Sequence, residues 1–347
     1  MATLTKPSVM HPEYIVTNDD MIEFLNSVHG DAPHKAAAFK MIKNSSIDKR
    51  HLIMPLEQVL SLGDFGERGE IYGKEARIMS SHTARKAIEN AGLLPKDISM
   101  VVVTSCTGFM MPSLTAHLIN DLDLPNSTLQ LPIAQMGCVA GASAINRAYE
   151  HCQLNSQNNA LIVTLETSSL CFQKEAGRLQ DFITDSLFGD GVAAVVMRGD
   201  DQKPGFKIAD VRSHFMRNTE EYIMYSLSAG GFNFSLDKDV MYSIDKAAPH
   251  IGSFIRESFG GLANELDFYV FHTGGRRIQD EVEHCLELSP DKLQHSRACL
   301  RESGNTSSVA VIDVLNRHFP ERSAGEKGVL ATFGPGFTTE MAIGEWQ

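Results

Sequence analysis

The chain has 347 residues, of which 43% are hydrophobic and 21% charged, with a net charge of -12. That balance fits one large or two closely packed globular domains and excludes a disordered chain. The acidic excess, with no basic block, argues against nucleic acid or an anionic membrane surface as partner.

The opening run "MATLTKPSVMHPEYIV" lacks the charged and apolar regions of a signal peptide. No apolar run approaches the roughly 18 residues of a spanning helix. The six cysteines (106, 138, 152, 171, 285 and 299) form no CxxC pair, so metal-ligand spacing is absent. A cytoplasmic protein with reduced thiols, no metal and no membrane contact is expected.

Taken in order, helix and strand signals alternate. The basic run Met41–His51 is surface by default, or a handle for an anionic substrate. Glu75–Leu93 reads as an amphipathic helix stopped by Gly92. Ile98–Ser105, Asn159–Thr167 and Asp190–Gly199 read as buried strands, with a helix from Pro112 to Leu124. Such alternation implies a layered α/β fold. A seam is expected near Gly199–Gly205, giving an N-terminal unit over 1–200 and a C-terminal unit over 201–347.

The second half repeats the first. "LDFYVFHTGG" parallels "ISMVVVTSCTG", "GNTSSVAVIDVLN" parallels "GCVAGASAINRAY", and "GVLATFGPG" parallels "NALIVTLET". A duplication predicts two similar halves about a pseudo-twofold. Cys138 and Asn305 then occupy equivalent turns before helices, and His272 ends a strand. Strand ends of both halves would meet in one crevice.

A thiol is mostly protonated at neutral pH, but a helix N-terminus and a nearby imidazolium both lower its pKa. His272 and the Asn305 amide could hold a carbonyl oxygen as it gains charge. Cys, His and Asn serve a protease or a carbon–carbon condensing enzyme. The local cysteine signature of papain-like proteases is missing. "FGDGVAAVV" and "FGPGFTTEMAIGEW" match neither GxGxxG nor a Walker loop and read as tight turns lining a pocket. The small residues after Cys138 are expected to let the helix start approach a bound acyl chain.

The runs "GCVAGASAINRA", "FGDGVAA", "FHTGGRRI", "GNTSSV" and "FGPGFTTE" occur together and in order. Through them the chain resembles the type III polyketide synthases, chalcone-synthase-like homodimeric condensing enzymes, from about Pro7 to Trp346. The resemblance implies a thiolase-like fold of two duplicated α/β halves in αβαβα layers. It implies iterative decarboxylative Claisen condensation of malonyl-CoA, with CoA thioesters as substrates and no cofactor. The runs around Cys106, Cys138 and His272 look most like bacterial members that cyclise three malonyl units to 1,3,5-trihydroxybenzene. An acyl-CoA starter, giving alkylpyrones or resorcinols, and five malonyl units, giving tetrahydroxynaphthalene, stay open. So do a ketoacyl-carrier-protein synthase and a non-catalytic acyl-binding protein.

By that resemblance Cys138 carries the acyl chain, and His272 and Asn305 hold the malonyl carbonyl and the enolate. Phe188 and Phe234 are implied as gates, and Pro335 as a turn shaping the cavity. Met111 would close the cavity of a dimer partner. Arg277 would meet CoA phosphate, with Lys40 and Arg50 as further candidates. Cys106, Ser168, Cys171, Tyr225 and Ser307 would line the pocket. Cys106 and Tyr225 depart from the threonine and glycine of plant enzymes, which suits a small product.

Overall fold

The computed structural model describes residues 2–28, 34–59, 61–172 and 179–347. Among them the main sheet has ten strands. From one edge these are Phe268–Phe271, Lys327–Gly334, Gly336–Trp346, Phe206–Thr219, Ala2–Leu4, Gly191–Arg198, Asn159–Glu166, Met100–Thr104 and Leu129–Ile133. Ser8–Met10 also pairs with Gly191–Arg198.

The duplication is written in the pairing. Met100–Thr104 runs parallel to Asn159–Glu166, which runs antiparallel to Gly191–Arg198. Phe268–Phe271 runs parallel to Lys327–Gly334, which runs antiparallel to Gly336–Trp346. Ala2–Leu4 and Phe206–Thr219 extend the two series and pair with each other. No flexible linker separates the halves at the expected seam: Phe206 already sits in register with Leu4 and Trp346.

Strand side chains alternate between faces, and the sequence uses both. Val101, Val103, Leu161, Val163, Val192 and Ala194 face the long helix Phe65–Asn90 and the helix Leu114–Asp121. Tyr269, Phe271, Val329 and Ala331 face the helices Ser243–Phe259 and Arg276–Cys285. The opposite faces of both strand sets, with Val102, Ile162, Val195, Val270 and Leu330, share one core. Two central helices, Ala140–Gln153 and Ala310–His318, fill it through Ala144, Ile145, Ile312 and Leu315. Helix, sheet, helix, sheet, helix is the thiolase-like αβαβα order. Strands buried on both faces explain why they read as unbroken apolar runs.

The central helices also explain Gly141. A Cβ there would lie 2.4 Å from the Ser308 carbonyl oxygen and 2.6 Å from Val311. Gly141 therefore serves helix-to-helix approach. The long helix starts at Phe65, ten residues before the predicted start. Asp64 caps it, accepting from the amides of Gly66 at 2.9 Å and Glu67 at 3.1 Å. Gly66, Gly69 and Gly73 dilute the helical signal in its first turns. Its predicted stop holds: Gly92 takes φ +66.

A separate hairpin, Ile223–Ser228 with Gly231–Leu236, lies outside the main sheet. Among the described residues no helix is long and apolar enough to cross a membrane.

Candidate active site

Cys138 lies in the turn Gly137–Val139, which leads into the first central helix. Gly137 takes φ +53, and a Cβ there would sit 3.1 Å from the Pro335 ring. The turn at Pro335 is thus packed on the turn of the cysteine. Gln135 holds φ 60 and Ser307 φ 50 without being glycines, and such left-handed residues gather at functional sites.

The electrostatics differ from the sequence expectation. Burial pushes the Cys138 thiol up to about 11, outweighing its hydrogen bonds with Ser307 and Asn305, which favour the thiolate. The nearby Glu166 carboxylate adds to the rise. Burial pulls the His272 imidazole down to about 4. Burial thus favours the neutral thiol and the neutral imidazole, and the helix start does not by itself outweigh it.

Asn305 is fixed by its own loop. Its backbone N–H donates to Leu187 at 2.9 Å, and its carbonyl accepts from Gly189 at 3.1 Å. This clamps Asn305 to Phe188 as an isolated bridge. Its side-chain oxygen accepts from the Ser307 amide at 2.8 Å, which leaves the NH2 group for Cys138. His272 follows the strand Phe268–Phe271 and is 3% exposed. Its backbone N–H donates to Ala331 at 3.1 Å, and its buried Nδ1 has no partner among the described residues. In a cysteine protease the asparagine would orient the histidine. Here the Asn305 amide serves the sulfur instead.

Aromatic rings cluster next to Asn305, which bridges to Phe188. Phe188 and Phe234 meet edge-on at 5.2 Å, and Tyr225 meets Phe234 at 5.4 Å and Phe232 at 5.6 Å. The Tyr225 hydroxyl lies 3.8 Å from Cys106 Sγ, which lies 3.9 Å from Ser307 Oγ. Cys171 Sγ meets the Thr107 carbonyl at 3.8 Å, and Ser168 is buried in the same short turn. Thus Phe188, Phe234, Tyr225, Cys106 and Ser307 form one chain of contacts that ends on Cys138 through the Ser307 hydrogen bond.

Two residues were missed in the sequence. Glu166 is fully buried and accepts from Cys106 N at 3.1 Å, Thr107 Oγ1 at 3.0 Å and Ser308 Oγ at 2.6 Å. Burial raises its pKa. Asp190 is also fully buried, its pKa raised to about 6 by burial. The signal was present in both: a lone carboxylate closing or opening an otherwise apolar strand.

The cation candidates separate. Arg277 is exposed in the first turn of the helix that follows His272, and Lys40 is exposed on the helix Lys35–Lys43. Arg50 is 0% exposed, a correction to its expected role on CoA. Its guanidinium donates to Asn18 Oδ1 at 2.6 Å and to the carbonyl of Thr17 at 3.3 Å, so it ties the strand Lys49–Leu52 to Thr17 and Asn18. Arg50→Ala is expected to cost about 2–4 kcal/mol of stability, by leaving buried acceptors unpaired. Thermal unfolding would show this, with KM for a CoA thioester unchanged. A raised KM at unchanged stability would contradict it. Met111 is 86% exposed beside Phe109 at 63%, and so takes no part in this chain's own cavity wall.

Models of the chalcone and stilbene synthases match twice, the N-terminal domain over residues 2–201 and the C-terminal domain over residues 207–344. The chain belongs to this family, the type III polyketide synthases. It is 52% identical to the phloroglucinol synthase of Pseudomonas fluorescens, over 100% of this chain and 99% of that one. It is 42% identical to the 1,3,6,8-tetrahydroxynaphthalene synthase of Streptomyces coelicolor, over 100% of this chain and 93% of that one. The crystal structure of tetrahydroxynaphthalene synthase from Streptomyces coelicolor superposes with a TM-score of 0.97, covering 99% of each chain at 41% identity. A type III polyketide synthase is an acyl-transferring enzyme, so the non-catalytic and protease readings fall away.

Proposed function

We propose that this synthase condenses three malonyl-CoA and closes the ring to 1,3,5-trihydroxybenzene. The observation that carries the reading is the full-length likeness to phloroglucinol synthase, taken with the crowded aromatic wall at Tyr225. Overall, three malonyl-CoA give one trihydroxybenzene, three CO2 and three CoA thiols. Loss of CO2 supplies each carbon nucleophile, so the reaction calls for no separate cofactor.

In this reading Cys138 passes its proton to His272 as its sulfur attacks the CoA thioester, and the departing CoA thiolate takes that proton as the old C–S bond breaks. Moving that proton leaves the net charge of the site unchanged, so it avoids the burial cost that opposes either charge alone. A malonyl thioester then docks its carbonyl oxygen on His272 and the Asn305 amide. Decarboxylation places negative charge on that oxygen, where the donors are already aimed. The enolate carbon attacks the Cys138 thioester, and the thiolate leaves. Phe188 and Phe234 keep water from the reacting carbon, and the apolar surroundings disfavour the malonyl carboxylate. Arg277 and Lys40 stand as contacts for CoA phosphate. The exposed Met111 and Phe109 suit a homodimer contact.

Incubation of purified protein with malonyl-CoA alone, followed by mass analysis, tests this. Three CoA released per aromatic product supports it, and five per product supports tetrahydroxynaphthalene, the reading favoured by the 42% identical relative. Tyr225→Gly removes the phenol that reaches Cys106. It is expected to raise the share of products longer than a triketide about tenfold, read by liquid chromatography and mass spectrometry. An unchanged product length would show that another wall sets the limit.

A further inference from the structure

Phe188 and the Ser168–Cys171 turn come from different segments, yet one carboxylate joins them. Asp190 lies two residues after Phe188. Its Oδ1 accepts from Ser169 N at 2.9 Å, and its Oδ2 accepts from Ser169 Oγ at 2.5 Å and from Ile53 N at 2.9 Å. Its own N–H donates to the His51 carbonyl at 2.8 Å. Between Asp190 and Phe188, Gly189 donates to the Asn305 carbonyl, and a Cβ on Gly189 would lie 2.5 Å from the Ser303 carbonyl oxygen.

We propose that Asp190 is a positioning residue for ring closure, holding the Phe188 gate, the Ser168–Cys171 wall and the end of the Lys49–Leu52 strand in one frame. The inference rests on the condensing role given above to the site. Ring closure needs the chain folded back on itself in a chamber of fixed width, so small wall shifts cost much in rate. Acyl loading needs only the thiol, its proton acceptor His272 and an open tunnel. Loss of Asp190 should therefore spare loading and derail cyclisation.

The carboxylate also gives a pH signature. Ionised above about 6, it can accept every one of these donors; protonated below, it gives up an acceptor site. The titratable groups facing it are Glu166, Cys171 and the half-buried His51, with His11 against the neighbouring Gly191 and the Arg50 stem beside Gly189. Ring formation should fall as pH drops through about 6, while CO2 release stays level there.

The test compares the parent protein with Asp190→Asn, Asp190→Glu and Ser169→Ala. It reads acyl loading by intact mass, kcat and KM for CO2 release from malonyl-CoA, and the ratio of cyclised to open-chain or lactone triketide. Asp190→Asn is expected to keep loading and KM within about threefold, lower the cyclised ratio about tenfold, and lose the acid limb. Asp190→Glu should restore part of the ratio. Ser169→Ala should shift the ratio the same way by about threefold, and decides alone if Asp190→Asn does not fold. An unchanged ratio in both Asp190→Asn and Ser169→Ala overturns the proposal. So does an equal fall of loading, CO2 release and cyclisation. Absence of loading by the parent protein overturns the reading of the site itself.

Discussion

Cys138→Ala is expected to abolish acyl loading. Incubated with malonyl-CoA, the parent protein should gain the mass of an acyl group and the variant should gain none. Product formation should fall by roughly 10⁴-fold or more, as when a covalent nucleophile is removed. The fold should survive, because alanine fits the turn Gly137–Val139 and the neighbouring helix positions already carry small residues. The other five thiols make the experiment discriminating. Cys106 lies near Cys138 and Cys171, but burial raises the pKa of both Cys106 and Cys171 away from neutrality. An adduct retained on the variant at either of them would overturn the assignment of Cys138.

His272→Ala and Asn305→Ala should separate decarboxylation from loading. Each removes one donor proposed for the developing enolate oxygen, and each is expected to slow CO2 release by about 10²–10³-fold. Loading should persist in Asn305→Ala, because the amide acts on sulfur as only one of its hydrogen-bond partners. Loading should slow further in His272→Ala, which takes away the proton acceptor. Release of labelled CO2 from malonyl-CoA, measured beside intact mass, reads both. Undiminished CO2 release in either variant would contradict its role.

Much of the fold was legible because both faces of the strands are buried. Runs such as "SMVVVTS" and "NALIVTLET" announce themselves as strands, and their order repeats in the second half. The repeat alone predicts one crevice for Cys138, Asn305 and His272. Other features left no readable trace. Arg50 looked like a surface cation because charge says nothing about what encloses it. Only the packing shows Asn18 and the Thr17 carbonyl around it. Gly141 looked like space for a ligand, because sequence does not say which neighbour crowds a small residue. The thiol pKa was misjudged for the same reason: a helix start is visible in sequence, and the desolvation that outweighs it is not.

The hairpin Ile223–Leu236 has a consequence for how such enzymes diversify. Its strands pair only with each other, yet they deliver Tyr225 and Phe234 to the cavity. Cys138 and Asn305, by contrast, sit on turns locked together through the central helices. The proposed reactive groups and the wall proposed to limit product size thus occupy separate parts of the fold. Exchange of residues 223–236 between relatives should transplant chain length without rebuilding the chemistry, as a ruler can be swapped on a fixed bench.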